Sequence, residues 1–261
     1  MRSKSVSGQW RTLLALALTV AAACPLAGCA AEPDLDTPAI QGLPVALVYR
    51  GPASCDGCSE AAADLLARSG RFTVKFTGPD SELPLDGRTL AAASVYLQPG
   101  GGDDVAHARR QMDPYAAAIT DYVRSGGRYL GICMGGYLAG TVNGFGLWPG
   151  EVEQYSDSPG AEIHSTAVTV ATVVWRNHNQ QTYFQDGPFF AVPDSADPPQ
   201  ILARYRNGAA AAVVAPSGKG RIALVGPHPE ASESWYAEHH LDSTAADDRP
   251  GLDLITALMS R

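Results

Sequence analysis

The segment RYLGICMGG, residues 128–136, decides the fold. Arg128–Ile132 is a short apolar run of the buried-strand kind. It runs directly into Cys133, which has glycine two places before it (Gly131) and two places after it (Gly135). A run of small residues with helical character follows. A strand that feeds a helix through so tight a turn pushes the intervening side chain into the open. Glycines are needed there because neighbouring side chains would collide. That is the shape of a nucleophile elbow. A cysteine at a helix N-terminus also meets the positive end of the helix dipole, which favours a thiolate. The competing reading is a buried structural cysteine beside a glycine-rich turn, and the turn alone does not separate the two.

Upstream, strand and helix alternate. Val45–Tyr49 is a buried strand, and Ser59–Arg68 a helix with Ser59 as candidate N-cap and Gly70 as its stop. Phe72–Phe76 and Ser94–Leu97 are strands, the latter ending in Pro99-Gly100-Gly101-Gly102-Asp103-Asp104. Asp113–Arg124 is a helix with Asp113 as N-cap and Pro114 at its first position, ended by Gly126-Gly127. Such alternation implies right-handed crossovers and a parallel sheet. Beyond Gly140 the pattern changes. Glu162–Trp175, Gln181–Phe184, Gln200–Arg206 and Ala209–Val214 are strand-like and separated by turn residues, which predicts antiparallel hairpins added to the sheet. Arg221–Val225 is again a buried strand, and Leu252–Met259 a closing helix. The turn Ser217–Gly220 lacks phosphate-loop spacing and precedes a strand, so it is not a nucleotide cradle.

The strand Arg221–Val225 ends in Gly226-Pro227-His228-Pro229-Glu230. Residues i and i+2 of an extended chain share a face, so His228 and Glu230 can meet. A carboxylate so placed orients the imidazole and stabilises its charged form, and His228 would then take the Cys133 proton. None of the other five histidines (His107, His164, His178, His239, His240) follows an apolar strand with an acid two places on.

Together, GICMGG and GPHPE resemble the class I glutamine-amidotransferase superfamily, in which Cys, His and Glu occur in that order. The resemblance covers most of the chain from Leu43 onward. It implies Cys133 as nucleophile, His228 as base and Glu230 as orienting acid. Within the superfamily, VALVYRGPASC, PGGGDD and GICMGGY look most like the biotin-protein-ligase N-terminal-like domain. No ligase catalytic domain follows, so biotinylation is not expected. The fold expected is α/β: a flavodoxin-like three-layer sandwich with a mostly parallel central sheet and an added antiparallel β-hairpin region. An oxyanion needs donors; the Met134 N–H and the loop Gly100-Gly101-Gly102 are the candidates, with a plain flexible turn as the alternative for the loop. Glutamine-hydrolysing members usually carry glutamine four residues after the nucleophile, where this chain has Tyr137. Hydrolysis or acyl transfer on another amide or ester, small molecule or peptide, is therefore expected. The alternatives are a catalytically silent ligand-binding module and a thiol redox protein.

Cys55-Asp56-Gly57-Cys58 precedes the first helix. The pair reads as a local disulfide, as a redox pair, or as a source of a bond to Cys133. Lacking a second such pair, the chain is not expected to bind zinc, and no cofactor is expected. The aromatics Trp175, Tyr183-Phe184 and Phe189-Phe190 read as core, with pocket lining as the alternative.

The amino terminus reads as a leader. Arg2, Lys4 and Arg11 form a positive region, and Thr12–Ala23 an apolar stretch too short to span a bilayer. Leu26-Ala27-Gly28-Cys29 looks like a bacterial lipobox. Residues 1–28 are then a lipoprotein signal peptide, Cys29 the lipidated first residue, 29–42 a tether and 43–261 the folded domain. Acyl chains on Cys29 would anchor the protein to the membrane outside the cytoplasm. The chain has 261 residues, 45% of them apolar, enough for one large core. Its formal charge is −8 with no Lys/Arg cluster, which argues against nucleic-acid binding. Oligomeric state is not specified by the sequence.

Overall fold

The computed structural model describes residues 42–194 and 197–260. The expected leader, Cys29 and the tether as far as Gln41 lie outside the described residues. Strand and helix alternate first: β1 (Val45–Tyr49), α1 (Cys58–Arg68), β2 (Thr73–Thr77), α2 (Gly87–Ala91), β3 (Val95–Gln98), α3 (Val105–Arg124), β4 (Arg128–Ile132) and α4 (Met134–Leu138). Six strands follow: β5 (Val152–Gln154), β6 (Thr169–Trp175), β7 (His178–Phe184), β8 (Pro188–Phe190), β9 (Gln200–Tyr205) and β10 (Ala210–Ser217). β11 (Gly220–Val225), α5 (Glu233–Glu238) and α6 (Arg249–Met259) complete the chain.

All the strands join one mixed sheet, in the order β2-β1-β3-β4-β11-β10-β9-β6-β7, with β8 pairing β10 and β5 pairing β8. The pairs among β2, β1, β3, β4 and β11 are parallel. Every pair from β11–β10 onward is antiparallel. The sheet is therefore mixed, not mostly parallel. The reason is the tight turn at Gly218-Lys219: it folds β10 back along β11, so the antiparallel strands continue the parallel ladder directly. At the far end Tyr183 of β7 bridges to His228, just beyond β11, and the antiparallel half curls back upon itself.

Alternating side chains divide the core between the two faces of the sheet. Ala46, Val48, Leu97, Leu130 and Ile132 pack with Leu65 and Leu66 of α1 and Leu254 and Leu258 of α6. Leu47, Tyr49, Tyr96 and Tyr129 pack with Met112, Ile119 and Val123 of α3. Each fully buried Leu or Met of this kind contributes about 1.5–3 kcal/mol.

Two helix starts differ from expectation. α3 begins at Val105, capped by Asp104, whose Oδ1 accepts the His107 N–H at 2.8 Å. Asp113 and Pro114 lie inside it; Asp113 pairs with Arg109 one turn back and does not cap. α1 begins at Cys58 after Gly57 (φ 75°), and the Ser59 hydroxyl donates to the Tyr49 carbonyl at 2.8 Å and caps nothing. The strand expected over Glu162–Trp175 is confined to Thr169–Trp175, because Asp157–Ile163 forms a hydrogen-bonded turn.

Candidate functional site

Cys133 stands at the end of β4, where the next strand of the sheet is β11. The two run parallel in register, with Ile132 opposite Val225, so their C-terminal loops emerge side by side. The Cys133 N–H continues the ladder one step, donating to the Val225 carbonyl at 2.8 Å. The chain then turns sharply. Cys133 has φ 48° and ψ −106°, a backbone state that side chains other than hydrogen rarely occupy. The bend needs both of its glycines. A Cβ on Gly131 would collide with the Gly135 carbonyl, and a Cβ on Gly135 with the Gln98 carbonyl of β3. Tyr129 fastens the turn from below, its hydroxyl donating to the Gly135 carbonyl at 2.6 Å. Met134 opens α4, so its N–H has no acceptor within the helix.

His228 lies three residues past β11. Its N–H donates to the Tyr183 carbonyl at 2.9 Å, which fixes the loop against β7. Its ring stands edge-on to Tyr183 at 5.8 Å and tilted against Trp235 at 5.6 Å. Nδ1 lies 2.8 Å from Glu230 Oε1, with side-chain exposures of 4% for His228 and 0% for Glu230. Burial works against a charged imidazole here. The Glu230 carboxylate, then the nearby Cys133, outweigh it and hold the His228 pKa well above its ordinary value. The second Glu230 oxygen has no hydrogen-bond partner among the described residues.

Cys133, His228 and Met134 face one cavity of about 480 Å³. The Cys133 sulfur is 3.6 Å from the Gln185 carbonyl. A larger cleft, about 790 Å³, opens at the other end of the sheet near Ser94 and Arg128, and no cysteine or histidine lines it.

The structure brings the loop after β3 to the same cavity. Gly101 and Gly102 line it, and Gly100 stands just behind. A Cβ on Gly100 would lie 2.8 Å from His228 Cε1 and 3.3 Å from the Cys58 sulfur, so this glycine is the seam between imidazole and disulfide. Cys55 and Cys58 are joined to each other, and Cys133 is free. The Cys55 N–H donates to the Gly100 carbonyl at 3.1 Å, which ties the bridged loop to the glycine loop. Tyr137 lines the cavity with its hydroxyl donating to the Asp186 carbonyl at 3.0 Å. Burial, with the charges of Cys133 and Asp186, pushes the Tyr137 pKa far upward, so the phenol stays neutral.

Sequence reasoning missed the opposite wall. Gln154 of β5, Gln185 and Asp186 just past β7, and Trp235 of α5 all face the cavity. Gln154 Nε2 donates to Asp186 Oδ1 at 2.7 Å. The only local signal was the Asp186-Gly187 dipeptide, which marks a turn and nothing more. Trp175, Tyr183, Phe184 and Phe190 are buried in the core. Among the described residues no group of three His, Cys, Asp or Glu is arranged to hold a metal ion, and no helix is long and apolar enough to cross a membrane.

The family described as "Biotin-protein ligase, N terminal" matches residues 46–153 and 150–257. The chain is 26% identical over 194 residues to a biotin–protein ligase of Schizosaccharomyces pombe, covering 64% of this chain and 30% of that protein. It is 33% identical over 95 residues to the imidazole glycerol phosphate synthase subunit HisH of Rhodopirellula baltica, covering 33% of this chain and 45% of that protein. It thus spans less than half the length of either relative. A glutamine amidotransferase structure from Methylobacillus flagellatus superposes with TM-score 0.51 at 15% identity, over 84% of this chain and 97% of that one, a likeness of fold.

Proposed function

This chain belongs to the family of biotin-protein ligase N-terminal domains, and from that premise we propose that it is a cysteine hydrolase or acyl-transfer enzyme acting on an amide or ester. One observation carries the reading: a strained cysteine faces one cavity with an imidazole whose Nδ1 side is held by a buried carboxylate. Glu230 occupies Nδ1 and leaves Nε2 for the sulfur. His228 takes the thiol proton, and the sulfur attacks the acyl carbon. The Met134 N–H and the Gly101 N–H receive the charge that develops on the carbonyl oxygen. His228 then protonates the leaving amine or alcohol, and a thioester to Cys133 remains. Water, deprotonated by His228, cleaves it to the carboxylic acid and frees the thiol; another nucleophile in place of water gives acyl transfer.

Tyr137 supports a substrate other than glutamine, because its ring fills the position where glutamine-hydrolysing relatives carry glutamine. Helices packed on both sheet faces support flavodoxin-like layering. The reading includes export and anchoring through acyl chains on Cys29, supported by the lipobox-like Leu26–Cys29 and the leader pattern before it.

Iodoacetamide labelling of Cys133, followed by mass mapping, tests the proposal. Wild type is expected to label at neutral pH at least about tenfold faster than a free cysteine peptide, and His228→Asn to lose that advantage. An activity screen on amide and ester libraries, with Cys133→Ala as control, then identifies the reaction. A sluggish thiol indifferent to His228 would leave a ligand-binding module of the same fold.

A further inference from the structure

We propose that the substrate of this cavity is a cation: an amide or ester bearing an ammonium group and no carboxylate near the scissile bond. The inference rests on the hydrolase reading of the same site. Two carboxylates line the cavity: Asp103, exposed at its rim directly after the glycine loop, and half-buried Asp186, two residues past β7. Neither takes part in an ion pair among the described residues. No Lys or Arg is among the residues lining the cavity. The one cation present, His228, is buried and already matched by Glu230. Asp186 is held in place by Gln154 and is not free to swing away.

A third element points the same way. Trp235 forms part of the wall, and its ring is fixed against His228 at 5.6 Å and Tyr183 at 5.3 Å. An indole face attracts ammonium groups through its quadrupole. Two carboxylates and an indole around one cavity suit a cation, and they stand beside the nucleophile. With the backbone donors given to the scissile carbonyl and His228 matched by Glu230, a further ligand carboxylate would meet two like charges and no Lys or Arg. A zwitterionic amino acid therefore gains at its ammonium and loses at its carboxylate, whereas a substrate with only the positive group gains without that loss.

The test uses three alkylating probes on the full chain: 2-bromoethylammonium, iodoacetamide and iodoacetate. Each rate at Cys133 is read by mass mapping and divided by its rate on a small free thiol. The expected result is a cation-to-anion preference of about tenfold or more at low ionic strength, shrinking as salt is raised. Asp103→Asn/Asp186→Asn should compress it to about twofold. Both substitutions are near-isosteric, and a change in thiolate fraction would scale all three rates alike, so the ratio isolates the field of the cavity. Equal corrected rates, or iodoacetate the fastest, overturn the inference while leaving the hydrolase reading intact. Failure of all three probes to outpace the free thiol overturns the hydrolase reading, and this inference with it.

Discussion

Replacing Glu230 by Gln removes one charge from a buried pair and leaves its shape almost unchanged. Nδ1 and Oε1 are 2.8 Å apart, and neither side chain meets solvent to any extent. Taking away one partner of such a pair costs about 3–5 kcal/mol when the survivor stays charged. An imidazole can shed its proton, so the loss should settle near the lower bound, about 3 kcal/mol. In a domain of this size that corresponds to a Tm lowered by about 6–12 °C. The His228 pKa should fall by about one to three units, since the carboxylate that opposes the effect of burial is gone. The sign of the pH dependence follows. In the wild type the native pKa is raised, so protonation stabilises the fold in full below the unfolded value of about 6.5. That contribution drains away as pH rises through the raised native value. The stability gap between wild type and E230Q should therefore be widest in mild acid and narrow in alkali. Urea denaturation at a series of pH values measures the gap, and the pH profile of Cys133 alkylation reports the imidazole. A Tm within 2 °C of wild type at pH 6 (well inside the ~6 °C lower bound above), together with superimposable alkylation profiles, would refute the reasoning.

Cys133→Gly should be more stable than Cys133→Ala by up to about 1 kcal/mol, because glycine alone relaxes at φ 48°; urea unfolding of both variants decides. Gly135→Ala drives a methyl into the Gln98 carbonyl and should cost about 3 kcal/mol or more, read as a lowered Tm with Cys133 alkylation slowed in parallel. Cys55→Ser/Cys58→Ser opens a very short loop, so the chain-entropy loss is only about 2 kcal/mol. The glycine loop tied to Cys55 should loosen, and Cys133 alkylation should slow by more than the modest fall in Tm implies.

The elbow was legible because it is local. A strand period, one cysteine and two glycines at fixed offsets carry the whole turn, and β4 has the bounds its apolar run predicts. His228 and Glu230 were legible for the same reason, being two places apart on extended chain. The start of α3 was misread: Asp113-Pro114 has the form of a cap and first turn, yet the helix begins nine residues earlier, after Asp104. What decides is burial of Ala108 and Met112 against the sheet, a tertiary matter. The wall formed by Gln154, Gln185 and Asp186 had no sequence signal beyond a turn at Asp186-Gly187, because it exists only where the antiparallel strands bend back toward β11. Periodicity identified β6, β7, β9 and β10 but not the three-residue β5 and β8, and gave no hint that β10 would share a ladder with β11, so the sheet was expected to be more parallel than it is.

The bridge between Tyr183 and His228 also sets the order in which danger arises during synthesis. Cys133 leaves the ribosome 95 residues ahead of the histidine that shares its cavity. Until β7 has swung round to seat the loop after β11, no group stands ready to take the thiol's proton. A nascent chain thus carries the sulfur without its imidazole neighbour, and a chain cut short before residue 228 never acquires one. Sulfur and imidazole come to share a cavity only when the loop after β11 is seated against β7.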